Sequence, residues 1–228
     1  MAEAPHEIRF QEIPAGEFRM GGSDDDKFVS AVELPVRQVR VAAFSISVHP
    51  VTIYQWNQHR GDSIDGHPDW PVTRVSFDEA QAFAASLNAR LPSEAEWEYA
   101  CRAGSDRIFP QGGNLHPEDA NFLYDESGDP VGRGGLSPVG SHPANAFGLH
   151  DMIGNVCEWT ADLWHPHYQN APADSSPWLD DGHLSRRVIR GGGWDHLPRL
   201  LRASWRDWAP ESARWDNLGF RLARDISR

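Results

Sequence analysis

Residues 105–145 run from "SDRIFP" to "SHPAN" with no helical or strand periodicity, and Gly, Pro, Asn and Asp recur throughout. An irregular run of that length is uncommon inside a compact domain. Where it occurs it is functional, or it is pinned by ions and side-chain hydrogen bonds. A second irregular region spans residues 165–186. The chain must therefore hold long loops against a modest set of regular elements. Its 228 residues are 39% hydrophobic and include ten Trp and ten Phe, enough apolar material for one sizeable core. No repeat, linker or break in composition divides it, so a single α+β domain over residues 1–228 is expected.

Hydrophobic patterning places the regular elements on either side of the loops. "IRFQEIPAGEFRMGG" alternates apolar and polar residues about a Pro-Ala-Gly turn, which predicts a hairpin. "PVRQVRVAAFSISVHPVT" predicts one or two strands ending at Pro50, because proline cannot donate to a sheet ladder. In "SFDEAQAFAASL", Ser76 and Glu79 have capping-box spacing, with Phe77, Ala80, Phe83, Ala84 and Leu87 on one face. "LPSEAEWEYACRAG" repeats the spacing at Ser93 and Glu96; Trp97, Ala100 and Cys101 form the apolar face and Gly104 stops the helix.

A balance of 33 acidic against 21 basic residues gives −12, which argues against nucleic acid or an anionic membrane as partner. "MAEAPHEIRF" has no apolar signal region and no apolar run is long enough to span a bilayer. A cytoplasmic protein without a membrane span is expected, with display on a phage or cell surface left open. Cys101 and Cys157 make no disulfide framework and are expected as small buried hydrophobes. Nucleophile, phosphate-loop, HExxH and CxxC motifs are absent, and the glycine-rich "VGRGGLSPVG" precedes no helix. "SDDD", Ser23 to Asp26, reads as a solvated acidic turn. "WHPHY" sets His165 and His167 two apart without a third metal ligand, and surface histidines beside Pro are the commoner outcome.

"NAFGLHDMIGNVCEW" is the densest set of hard oxygen donors. The side chains of Asp151 and Glu158, with the carbonyls of Gly154 and Val156 between them, have a separation that Ca²⁺ accepts. Asp/Gly/Asn clusters also make ordinary turns. Further on, "RGGGWDHLPRLLRASWRDW" is neither strand nor helix, because glycines 191–193 and Pro198 interrupt both. Large aromatic and cationic side chains on irregular backbone suit a recognition surface, or a packed core loop.

Taken together, "IPAGEFRMGG", "HPVTIYQW", "PVTRVSFDEAQAFA", "RLPSEAEWEYACRAG", "NAFGLHDMIGNVCEWTAD", "RVIRGGGW", "LRASWR" and "NLGFRLARD" resemble the formylglycine-generating enzyme (sulfatase-modifying factor) family, in its order. The resemblance implies a C-type-lectin-like architecture: small sheets, two main helices and a high loop content held by calcium. It implies Asp151, Gly154, Val156 and Glu158 as calcium ligands. A second site would use Asn121 and Phe122, but "VGR" stands where the family has its Asp, with Asp129 as a possible stand-in.

The family's cysteine oxidation uses copper and two thiols. His196 and Leu201 fall near those two positions, so neither formylglycine generation nor bound copper or iron is expected. The same family contains retroelement-diversified binding proteins, whose variable region ends before "GFR". That likeness implies a surface over residues 190–217 formed by Asp195, His196, Leu197, Arg199, Leu200, Ser204, Trp205, Asp207, Trp208, Ala209, Ser212, Ala213, Trp215 and Asp216. Trp205, Trp208 and Trp215 would anchor a protein or other macromolecular ligand. Trp194, Pro198, Arg202, Arg206, Asn217, Gly219, Phe220 and Arg221 would be framework. The competing implication is a cysteine-independent oxidoreductase or tailoring enzyme using the same cleft.

Overall fold

A computed structural model describes residues 7–23, 26–60 and 63–226. Helices α1 (Ile53–His59), α2 (Phe77–Ser86) and α3 (Glu94–Arg102) all begin in capping boxes. The Ser76 and Ser93 caps accept from the amides of Glu79 and Glu96, as their spacing predicts. Helix α1 was not expected. Its signal is Thr52, which accepts from the Gln55 amide at 3.2 Å while Gln55 reaches back to the Thr52 amide at 3.0 Å. A Gln at the third helical position thus completes a box just past Pro50.

Among the described residues nine strands form three sheets. Strands β1 (Phe10–Ile13), β4 (Phe44–Ser47) and β9 (Ala223–Asp225) are ordered β1-β4-β9. Strands β2 (Gly16–Met20) and β3 (Arg37–Val41) pair alone. The third sheet, ordered β7-β6-β5-β8, holds β5 (Cys157–Trp164), β6 (His183–Arg190), β7 (Arg206–Pro210) and β8 (Leu218–Gly219). The expected hairpin is therefore corrected. β1 and β2 exist, but Phe10 pairs with Ser47 and Gly16 with Val41, so the turn carries the chain from one sheet to another. Tyr99 from α3 sits against this turn. Its hydroxyl donates to the Pro14 carbonyl at 3.2 Å and fills the space a side chain at Gly16 would need.

Helix α3 is buried along its whole length, including Glu94, Glu96, Glu98 and Arg102. A helix with that composition survives in a core only if each charge has a partner. Long loops are tied down from its end. Asn145 Nδ2 donates to the carbonyls of Ala100 and Cys101, at 2.8 and 3.1 Å, satisfying the last turn. Asn121 donates to the Gly135 carbonyl, and Asn155 both accepts from the Ser137 amide and donates to its carbonyl. Asparagine side chains thus do the pinning within residues 105–145. Among the described residues no helix is long and apolar enough to cross a membrane.

Candidate functional site

The C-terminal segment is fixed by four buried arginines. Arg190, at the end of β6, donates to Glu98 and to the carbonyls of Ala203, Ser204 and Trp205. Arg202 bridges Asp26 at 2.5 Å and Glu33 at 2.7 Å. Arg206 grips Glu94 with two nitrogens, at 2.6 and 2.9 Å, and reaches the carbonyls of Val32 and His165. Arg221 makes the same fork on Glu158, whose Oε2 also accepts from Trp97 Nε1 at 2.8 Å. Burial works to raise the Glu94 and Glu33 carboxyls, yet the guanidiniums hold both below the usual carboxylate value. Asp26 is accordingly no solvated turn residue; it is buried against Arg202. Of the rest of "SDDD", Ser23 is half-buried, and Asp24 and Asp25 lie outside the described residues.

On the other side of this clamp the segment faces outward. Asp195 is exposed and accepts from Asn217 Nδ2 at 2.8 Å. His196 is half-buried. Its Nδ1 accepts from the Gly193 amide at 3.3 Å, and its ring lies edge-on to Trp205 at 5.5 Å. Burial pushes the His196 imidazole down against the opposing pull of Asp195 and Asp207. Asp207 is exposed, but its carboxyl is partly desolvated beside the protein surface and is pushed up, against the Trp208 amide, His196 and Arg206. The arrangement sets a partly desolvated imidazole in the field of Asp195 and Asp207.

Trp208 is half-buried with Arg186 stacked 3.6 Å from its ring centre; Trp215, Ser212 and Asp216 are exposed. Leu197, Arg199 and Leu200 are half-buried, and Arg199 pairs with Glu126 at 2.9 Å. Four expected surface residues are inside instead. Ser204, Trp205, Ala209 and Ala213 are buried, Trp205 at 6% exposure. Ala209 packs in the core cluster that holds Trp205, Ala213 and Leu218, although Asp207, two residues before it on β7, is exposed. Trp205 follows Ser204, whose carbonyl is held by Arg190, and so is drawn under the sheet.

Both thiols are free and buried. Burial pushes Cys101 up to about 12 and Cys157 well above its usual value, with Asp195 and Asp207 adding to the latter. Neither can supply a thiolate at neutral pH.

The expected calcium corner turns through left-handed backbone at Asp151 (φ 54°), Gly154 (74°) and Asn155 (63°). Asp151 is buried and accepts from the Gly140 amide at 2.7 Å; burial pushes its carboxyl up. Glu158 is committed to Arg221 and Trp97, and Arg221 also donates to the carbonyls of His150 and Asp151. The Gly154 carbonyl accepts from the Val156 amide at 2.8 Å, and Glu158 would have to share any cation with a guanidinium.

The pair Asn121 and Phe122 fits a cation poorly. Asn121 Nδ2 donates to the Gly135 carbonyl and to Asn155, which leaves Oδ1 as the ligand atom, but no carboxylate lines the adjoining cavity to balance a cation's charge. Asp129 sits in an exposed turn closed by Asp125. Among the described residues no three His, Cys, Asp or Glu side chains are grouped to hold a metal. His165 is buried, stacked on Trp178 at 3.4 Å with each ring nitrogen facing a carbonyl, while His167 is exposed, so the two histidines do not share a face.

Sequence reasoning missed the carboxylates Asp26, Glu33, Glu94 and Glu98. The signal was there in α3, where acids recur at every second position of an otherwise apolar helix.

The profile of the sulfatase-modifying factor enzyme 1-like domain matches residues 3–226. The formylglycine-generating enzyme of Bos taurus is 36% identical over 190 residues, covering 77% of this chain and 50% of that protein. The chain thus spans about half the length of that curated relative. Among solved structures, PvdO from Pseudomonas aeruginosa superposes with a TM-score of 0.86 at 33% identity, over 97% of this chain and 96% of the other. Treponema denticola variable protein 1 superposes at 0.80 with 23% identity, over 95% of both chains, a likeness of fold.

Proposed function

The chain belongs to the sulfatase-modifying factor enzyme 1-like domain family, and from that membership we propose that it is a ligand-binding protein of C-type-lectin-like fold that does not use thiol chemistry. One observation carries this reading. Within residues 190–221 the expected framework positions Pro198, Arg202, Arg206, Asn217, Gly219, Phe220 and Arg221 are buried and Trp194 is half-buried, whereas Asp195, Asp207, Ser212, Trp215 and Asp216 are exposed. A clamped scaffold under outward side chains is how a recognition surface keeps its shape while its contacts vary. Asp195, His196, Leu197, Leu200, Ala209, Ser212, Ala213 and Asp216 are residues that adenine-directed change of Asn codons yields; six of these eight are exposed or half-buried, which supports a retroelement-diversified surface, while Ala209 and Ala213 are buried.

The carboxylates of Asp195, Asp207 and Asp216 beside Trp208 and Trp215, in a chain of net charge −12, favour a protein partner with a cationic face. A near-copy of the coding stretch for residues 190–217 in the flanking DNA, differing at adenines, would establish diversification; its absence removes it. A partner selected on the wild-type protein should bind Trp215→Ala about tenfold more weakly, roughly 1.4 kcal/mol, at unchanged melting temperature. Equal binding removes this surface.

A second reading is favoured by His196. A half-buried imidazole in the field of Asp195 and Asp207 is a candidate general base, and the Bos taurus relative is an enzyme. The site would then serve a cysteine-independent oxidoreductase or tailoring enzyme. Oxygen consumption that depends on added iron or copper, and is lost in His196→Ala, would replace the binding reading. Conversion of a cysteine peptide to its aldehyde would overturn the exclusion of thiol chemistry.

Calcium is proposed as a structural ion at Asp151, the Gly154 and Val156 carbonyls and Glu158. The support is the buried Asp151 carboxyl, which a cation would bring back toward ionisation. Calcium should raise the melting temperature and a chelator lower it; indifference to both removes the site.

A further inference from the structure

A cavity of about 670 Å³ lies behind the glycine-rich loop, and none of the outward residues of the C-terminal segment lines it. Its wall includes Arg133, Ser137, His142, Trp70, Phe122 and Leu136. In a chain with twelve more acidic than basic residues, this wall holds no Asp or Glu, and Arg133 is its one permanent charge. Two of its polar atoms, Ser137 Oγ and His142 Nδ1, are buried with no hydrogen-bond partner among the described residues. Buried polar atoms left without partners are costly and mark a place where a ligand or water completes the bonding.

The cavity is also built to stay open. Gly132 is pressed against the Phe122 carbonyl, where any side chain would collide, and the amides of Val131 and Gly132 both donate to the Leu123 carbonyl. The Ser137 amide is fastened to Asn155. Arg133, Ser137 and His142 thus share the wall of one cavity whose other lining residues supply an indole, a phenyl ring and aliphatic carbon. Arg133 lies on the loop where a cation-binding carboxylate was expected, so the sign of the site is reversed.

We propose that this cavity binds a small organic anion: an oxoanion group held by Arg133, Ser137 and His142, carried on a ring-sized apolar body packed against Trp70 and Phe122. Guanidinium and hydroxyl donors are the usual partners of such a group, and an apolar wall with few polar contacts is the usual form of a small-molecule pocket. The site is independent of the surface formed by residues 195–216.

Phenyl phosphate, inorganic phosphate and phenol are the probes, read by calorimetry and thermal shift on the full chain. Phenyl phosphate should bind at millimolar concentration or below, and inorganic phosphate and phenol each about tenfold more weakly or not at all. Arg133→Glu, an exposed loop change, should abolish phenyl phosphate binding at unchanged melting temperature; Ser137→Ala should weaken it several-fold. Lys27→Glu, beside the neighbouring apolar cavity, and Trp215→Ala should leave it unchanged. No heat with phenyl phosphate, equal binding of phenol, or full binding by Arg133→Glu would each overturn the proposal.

Discussion

Arg202, Arg206 and Arg221 share one stretch of chain with Asp195, His196 and Trp215, yet the two sets obey different physics. The arginines are buried in a carboxylate network that reaches back to Asp26, Glu33, Glu94 and Glu158. The outward set touches little beyond its neighbours, as with Asp195 on Asn217 or Arg74 and Asp216 at 3.8 Å across the surface. An exposed pair of that kind contributes at most about 1 kcal/mol. Removing one partner from a buried pair strands a charge in a core and costs about 3–5 kcal/mol. Stability therefore resides in the clamp, and recognition is free to reside in the other set.

The sharpest way to break this contrast is Arg206→Ala. It leaves Glu94 buried without its fork, and urea unfolding should show a loss of about 3–5 kcal/mol or failure to fold. Replacing Arg206 and Glu94 together by apolar residues of similar volume should cost far less, because no uncompensated charge remains. If the single change costs under about 1 kcal/mol, the clamp is not what fixes the segment.

The tryptophans give the next largest separation. Trp205→Ala removes a buried ring from the core and should cost about 3–5 kcal/mol, whereas Trp215→Ala, at 42% exposure, should stay within about 0.5 kcal/mol. Similar losses for the two would erase the division between framework and surface.

Much of this was legible beforehand. Capping boxes at Ser76 and Ser93 and apolar periodicity gave α2 and α3, because those signals are local. The order of motifs gave the architecture. What stayed hidden was every feature that depends on partners distant in sequence. Trp205 and Trp215 read alike as aromatic anchors until Arg190 draws the backbone of Trp205 inward. β1 and β2 read as a hairpin, whereas Tyr99, from a helix far along the chain, sits against their turn and each strand pairs elsewhere. The acids of "SEAEWEYACR" find their partners only in three dimensions: Glu94 in Arg206, Glu98 in Arg190 and Arg102, and Glu96 in Arg90. Residue type foretold neither the sign nor the depth of these sites.

Asp162 offers a smaller, pH-dependent test of the clamp. Burial, then Glu94, pushes its carboxyl up to about 7, against hydrogen bonds from the Trp178 and Glu94 amides. A carboxyl whose folded value is raised binds its proton more tightly in the native state. Its contribution is thus fully present below the unfolded value near 4 and is lost as pH rises toward 7. Asp162→Asn should therefore gain melting temperature relative to the parent as pH goes from about 5 to about 8. A difference independent of pH would mean that Asp162 is ionised throughout and that the clamp carries its charge.

The least effect on stability is expected at His196, and it tests the outward set directly. Burial depresses this imidazole below its ordinary value, so the folded state disfavours the proton. The small stabilisation this brings is complete above about pH 6.5 and is lost as pH falls through the folded value. An NMR titration should place the midpoint below 6.5, and Asp195→Asn should lower it further, since Asp195 pulls it up. His196→Ala should leave the melting temperature near neutral pH within about a degree or two, because the side chain is half-buried and its one hydrogen bond is long. A large loss would place His196 with the framework, and the line between clamp and surface would have to be redrawn one residue before Leu197.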